Sequence, residues 1–310
     1  MSDDAIVIVG ASRTPMGGML GDLANVKATA LGSTAIEGAI AGSGVTASDI
    51  DGAIMGCVLP AGLGQAPARQ AVLGAGLSQD VPCVTVNKMC GSGMQAVMQA
   101  HDAIKAGSHD VMIAGGLESM SNAPYLLPKA RAGYRLGHGE TKDHMFLDGL
   151  EDAYEPGRLM GTFADQAAAK YQFSREEQDA YAIASVERAQ AAIANGNFEA
   201  EITPVTIKSR KGETVVSIDE QPNKAKIDRI PTLRPAFGKD GTVTAANASS
   251  ISDGAAALIL MRESDAKGKG LTPLARIVGH AVHARAPAEF TSAPVGAMHS
   301  LFEKTELTAD

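Results

Sequence analysis

Among three cysteines in 310 residues, one stands in a context that could do chemistry. In "VNKMCGSGMQA" (86–96), Cys90 follows a strand-like run and precedes a helix-like one, with Gly91 and Gly93 beside it. At a helix N-terminus the unpaired N–H groups and the macrodipole favour a thiolate. Glycines there keep side chains away from a substrate and leave backbone N–H groups able to hold an oxyanion. That combination suits acyl transfer through a thioester. The same pattern also suits a small residue packed in a strand–helix corner, the common fate of a free cysteine. Cys57 and Cys83 fall inside apolar runs and read as core residues.

A second chemical signal is charge. Between Lys208 and Arg234 seven Lys or Arg (208, 210, 211, 224, 226, 229, 234) stand against four Asp or Glu (213, 219, 220, 228), an excess of three positive charges in a chain of net −8. Such a stretch attracts an anionic ligand end, and it equally describes a solvated hairpin face. The overall negative charge argues against a general nucleic-acid binder, and the absence of Trp argues against a base-stacking platform. No apolar run approaches the roughly 20 residues of a membrane span. The acidic start "MSDDAIVIVGASRTP" enters a strand at once and does not read as a signal peptide. An odd number of separated cysteines fits a reducing compartment, so a cytoplasmic protein is expected.

The elements that must position these residues alternate. "AIVIVGA" (5–11), "IDGAIMGCVLP" (50–60), "PCVTVNKM" (82–89), "DVMIAGG" (110–116) and "GAAALILM" (254–261) read as strands. Helical spacing predicts helices over 26–42, 66–75, 91–107, 160–173 and 175–195, the last opened by a capping box of Ser174 and Glu177. This pattern is that of an α/β protein with a mostly parallel sheet. On the helix after Cys90, Met94, Val97, Met98 and Ile104 form the expected apolar stripe, with His101 on it as a core histidine. From 119 to 247 the sheet periodicity stops, apart from a hairpin expected at 205–218 around Lys211 and Gly212, and a long excursion of this kind usually covers a site. "ARIVGHAVHARAP" (275–287) echoes the opening of the chain, and with a helix over 294–304 it reads as the start of a second copy that is cut short. The expected organisation is a sheet half of 1–118 and 248–272, an inserted loop domain of 119–247, and the start of a second half at 273–310.

"NKMCGSGMQA" (87–96), "GGLESMSNAPY" (115–125), "GHGETKDHMFLDGL" (137–150), "RLMGTFAD" (158–165) and "LRPAFGKDGTVTAANASSISDGAAALIL" (233–260) together resemble the thiolases, the acetyl-CoA acetyltransferase family. The resemblance runs from Ile6 to about Asp310. It implies two similar α/β halves, each with a mixed five-stranded sheet, plus an inserted loop domain, with the second half truncated here. It implies reversible Claisen condensation of two acetyl-CoA to acetoacetyl-CoA and CoA, with Cys90 as the acyl-accepting nucleophile. The alternatives are a degradative 3-ketoacyl-CoA thiolase of longer chain specificity and an inactive acyl-CoA-binding fragment. By the same resemblance Ala245 and Ser249 contact pantetheine, Phe237 and Met160 line the channel, Met145 helps shape a short acyl pocket, and Lys224, Lys226 and Arg229 hold the nucleotide phosphates of CoA. His138 and His144 are expected to serve the structure of the binding loop.

Two positions depart from family patterns. Leu159 stands where some short-chain members carry histidine, and Val186 where potassium-binding members carry tyrosine. No metal is expected, nor a permanently bound cofactor. The family's downstream "GHP", "NEAF" and "C-x-G-G-G" motifs do not occur in these 310 residues. A homo-oligomer, dimer or tetramer, is the family's expectation.

Overall fold

The computed structural model describes residues 4–210 and 212–309, so Lys211 lies outside the described residues. Its strands are β1 (Ile6–Arg13), β2 (Gly17–Gly18), β3 (Gly52–Gly56), β4 (Cys83–Val86), β5 (Val111–Ser119), β6 (Tyr125–Leu126), β7 (Lys142–Asp143), β8 (Val205–Ser209), β9 (Gly212–Val216), β10 (Ser252–Arg262) and β11 (Ala275–Arg276). Its α-helices are α1 (Ala28–Ser43), α2 (Pro67–Gly74), α3 (Ser92–Lys105), α4 (Met160–Tyr171), α5 (Arg175–Ala194), α6 (Glu220–Lys224), α7 (Glu263–Gly268) and α8 (Ala293–Thr305).

The main sheet has the order β11-β1-β10-β5-β3-β4, with β2 added against β10. Its five long strands are the five the sequence predicts. The sheet is mixed: β3 pairs in parallel with β4 and β5, whereas β10 pairs antiparallel with both β1 and β5. The expectation of a mostly parallel sheet therefore needs one correction. The β10 strand returns to the sheet after more than a hundred residues and runs against both neighbours, a direction that periodicity does not encode.

Alternation sorts the side chains between two faces. Val7 and Val9, Val111 and Ile113, and Ala257, Ile259 and Met261 meet Ala35, Ile36 and Ala39 of α1 and Ala71 and Val72 of α2 on one face. Ile6, Met112, Ala114 and Leu260 meet Ala96, Ala100 and Ile104 of α3 on the other. The buried stripe of α3 is thus Ser92, Ala96, Ala100 and Ile104. Met94, expected on that stripe, is 68% exposed. Small residues at i, i+4 and i+8 bring this helix close to the sheet, a preference that a hydrophobicity pattern does not register. His101 is half-buried with Nδ1 2.9 Å from Asp102.

The chain forms two compact units. One comprises 1–149, 196–221 and 251–277, and the other 150–195, 222–250 and 278–310. These limits differ from the expected 1–118, 119–247 and 273–310. Residues 119–149 and 196–221 pack with the sheet; Arg13 N–H donates to Glu201 O and Thr203 N–H to Arg13 O, which ties the second of these segments to β1. The echo at 275–287 forms only the two-residue β11 and then irregular chain before α8.

Candidate active site

Strand β4 stops at Val86, and the five residues before α3 (87–91) make a tight turn rather than a direct strand-to-helix junction. Met89 sits in the left-handed region at φ 48°, uncommon for a residue with a side chain. Three contacts hold it there. Asn87 Oδ1 accepts the Met89 N–H at 2.9 Å, the Ser92 hydroxyl donates to Met89 O at 2.6 Å, and the same hydroxyl accepts the Lys88 N–H at 2.8 Å. Cys90, next in the chain, is exposed. Backbone strain beside an accessible nucleophile is a recurring feature of active sites. Ser92 and Asn87, which hold this turn, are not among the residues expected from the sequence.

One expectation changes. The N–H of Gly91 is engaged with Lys88 O at 3.1 Å and that of Ser92 with Met89 O at 3.0 Å. In the helix's first turn the N–H groups of Gly93 and Met94 lack intrahelical acceptors by position. The role of Gly91 is to close the turn. The helix start lies directly on β3: a Cβ at Gly56 would stand 2.6 Å from the carbonyl carbon and Cβ of Ser92 and 2.8 Å from Gly93 N. Only glycine fits beneath the turn.

The other two thiols are withdrawn. Burial raises the Cys57 thiol, and the nearby Glu118 carboxylate adds to this, so it is pushed up to about 12. Burial also raises Cys83. At neutral pH neither offers a useful thiolate population.

The remaining candidates lie in the second unit, and α5 organises them. Arg175 binds Asp179 at 2.6 Å and donates to the carbonyls of Ile230 and Leu233 at 3.1 and 2.9 Å, which secures the 3-10 turn Ile227–Thr232 that follows Lys226 and contains Arg229. Gln190 donates to Pro222 O at 2.8 Å, just before Lys224. Lys224, Lys226 and Arg229 are all exposed within six residues of one another. Asp179 also accepts from Asn247 Nδ2 at 3.0 Å, and Asn247 Oδ1 accepts the Thr244 N–H at 2.7 Å. Asp165 on α4 accepts the N–H groups of Thr242 and Val243 at 2.8 and 2.9 Å. These bonds clamp the loop that presents Ala245 and Ser249, both exposed. Phe237, half-buried, packs over Gly161 beside Met160, the first residue of α4, and no side chain other than hydrogen leaves room for its ring. Asp165, Asp179 and Arg175 give no signal in the sequence because the backbone groups held by Asp165 and Arg175, and the Asn247 amide held by Asp179, lie far along the chain. The structure thus brings the seven coenzyme A candidates together in one unit, while Cys90 and the buried Met145 belong to the other.

His144 is also buried. Its Nδ1 donates to Asp148 at 2.6 Å and its Nε2 accepts the Ala61 N–H at 3.3 Å, so both ring nitrogens hold structure, as expected of it. His138 is exposed.

The sequence pattern described as "Thiolase, N-terminal domain" matches residues 6–264. The chain belongs to the thiolase family. It is 48% identical to a probable acetyl-CoA acetyltransferase of Dictyostelium discoideum over 292 residues, 94% of this chain and 70% of that one. It is 45% identical to the acetyl-CoA acetyltransferase of Allochromatium vinosum over 308 residues, 99% of this chain and 78% of the other. Among solved structures, the crystal structure of the Bacillus anthracis acetyl-CoA acetyltransferase superposes with a TM-score of 0.95 at 40% identity, covering 99% of this chain and 77% of that one. The thiolase fold read from the motifs is thus the fold of the chain.

Proposed function

We propose that this thiolase is an acetyl-CoA C-acetyltransferase that condenses two acetyl-CoA to acetoacetyl-CoA and CoA, reversibly. The observation that carries the reading is Cys90: an exposed thiol on a strained turn at the start of a helix, in a chain whose other two thiols are raised by burial. The names of the relatives favour the two-carbon substrate over longer chains. In the first half-reaction Cys90 sulfur bonds to the acetyl carbonyl carbon, the carbonyl oxygen gathers charge beside the Gly93 and Met94 N–H groups, and the C–S bond to CoA breaks. CoA leaves as a thiol with the proton that Cys90 gave up. In the second, an α-proton of another acetyl-CoA passes to a base, the resulting carbanion bonds to the acyl carbon, and the Cys90 thiolate departs.

Lys224, Lys226 and Arg229 hold the phosphates of the coenzyme, Ala245 and Ser249 meet pantetheine, and Phe237 with Met160 lines its path. Coenzyme A enters as substrate and no permanently bound cofactor or metal takes part. Three unpaired cysteines fit a cytoplasmic enzyme, and among the described residues no helix is long and apolar enough to cross a membrane. The open edge strand β4, with Val84 exposed, supports self-association as a dimer or tetramer.

The test is to incubate the chain with acetyl-CoA and follow intact mass. One acetyl group on the peptide containing Cys90, absent from Cys90→Ala, is the expected result. Acetylation that persists in that variant would remove Cys90 from the mechanism.

A further inference from the structure

Glu118, next to last in the central strand β5, is a half-buried carboxylate. Burial raises its carboxyl above the ordinary range, and an ionised group there is tolerated only with donors around it. It has them. The Val58 N–H reaches it at 2.7 Å, the Leu59 N–H at 3.0 Å, and the Cys57 thiol at 3.6 Å. These three residues continue directly from β3 and leave the sheet there. That departure is also joined to the nucleophile turn, because the Cys57 N–H donates to Val86 O at 3.0 Å and Asn87 Nδ2 approaches Val58 O at 3.4 Å. Asn87 in turn accepts from the N–H of Met89, the residue in the left-handed conformation next to Cys90. A continuous series of polar contacts therefore leads from Glu118 through 57–59 and Asn87 to the turn.

From this juxtaposition we propose that Glu118 is a positioning residue for acyl transfer. By fixing the backbone of Val58 and Leu59, it fixes Asn87, and so sets the Cys90 sulfur relative to the Gly93 and Met94 N–H groups. It touches neither the thiol nor the substrate. A hydrogen-bonded carboxylate suits this task, since it accepts two adjacent N–H groups at once. A glutamine accepts one and presents its own N–H₂ to the other, which then stays unpaired at a partly buried position. The inference rests on the reading of Cys90 as the acyl acceptor.

The experiment separates placement of the thiol from its mere accessibility. In Glu118→Gln, the rate of Cys90 acetylation by acetyl-CoA should fall about tenfold or more, as small misplacements of reacting groups do. Alkylation of Cys90 by iodoacetamide needs no oxyanion donors, and it should stay within about twofold of the parent chain at the same pH. Labelling of Cys57 and Cys83, followed in the same digest, should stay slow. Asn87→Ala, at the far end of the same series of contacts, should show the same split. If Glu118→Gln does not fold, Glu118→Asp keeps the charge on a shorter arm and carries the same expectation. Unchanged acetylation in the Glu118 variant would overturn the proposal. So would a parallel loss of acetylation and alkylation, or a general rise in labelling at all three cysteines, since each marks a purely structural role. If the parent chain itself is never acetylated on Cys90, the failure lies instead with the reading of the nucleophile.

Discussion

At the scale of single residues, the reactive thiol is selected by its surroundings rather than by its type. Cys57 and Cys90 are the same side chain; one lies buried against a carboxylate and the other stands on an exposed turn. Iodoacetamide at neutral pH should therefore label Cys90 well before Cys57 or Cys83, and peptide mapping of a brief exposure reads the order directly. Ser92 offers a sharper test of the turn. Its hydroxyl joins Lys88 N–H to Met89 O, each such bond contributing about 0.5–1.5 kcal/mol. Ser92→Ala should lower stability by an amount in that range and slow acetylation of Cys90 by a larger factor than the stability loss suggests. Equal acetylation rates in the two proteins would show that the serine serves folding alone.

At the scale of elements, two placements decide what the residues can do. Helix α3 reaches the sheet because its buried stripe is small and because Gly56 lies beneath its first turn. Gly56→Ala would push a methyl group into Ser92, and overpacking of this kind costs about 1–3 kcal/mol. Since the displaced atoms belong to the Cys90 turn, activity should fall further than the melting temperature does; a variant with parent-like acetylation would argue that the turn tolerates movement. The second placement is the basic segment held by α5 through Arg175 and Gln190. Exposed charges contribute about 0.2–1 kcal/mol each. Replacing Lys224, Lys226 and Arg229 together by alanine should weaken CoA binding by calorimetry yet leave the affinity for its pantetheine fragment unchanged. Equal weakening for both ligands would move the phosphate site elsewhere.

At the scale of the molecule, distant parts of the sheet unit are joined through charged side chains whose protonation can be read as stability. Arg13 at the end of β1 holds Asp219, 206 residues away, by two bonds of 2.7 and 2.9 Å. Burial pushes the Asp219 carboxyl up, but the hydrogen bonds from Arg13 and from the Met16 N–H outweigh it and leave the group below its ordinary value. A folded value below the unfolded one means that the stabilisation is complete above about pH 4 and is lost as pH falls through the folded value. Asp219→Asn should therefore lower the melting temperature at pH 7, and the gap from the parent chain should close as the pH falls below the ordinary carboxylate range. A gap that is constant with pH would mean that the carboxylate's charge contributes nothing. Glu118 has the opposite sign: its folded value is raised, so its cost grows as pH rises above the ordinary carboxylate range.

The amino-acid sequence by itself determined the five long strands, the helices over 28–43, 67–74, 160–171 and 175–194, and the candidacy of Cys90, because these signals are local. Period-2 and period-3.6 patterns, capping residues and a cysteine flanked by glycines all act within a few residues, and the longer motifs carried the family. What it left open is what long-range contact decides. The direction of β10 depends on where the chain re-enters the sheet, and the tie between 196–221 and β1 depends on backbone bonds across nearly two hundred residues. Met89 adopts its strained conformation only because Asn87 and Ser92 together hold it. Asp165 and Asp179 became site-forming residues because the N–H and amide groups they hold come from a loop some seventy residues further along the chain. A hydrogen bond to a backbone group leaves no trace in the identity of the residue that supplies it, and only the folded chain brings the two together.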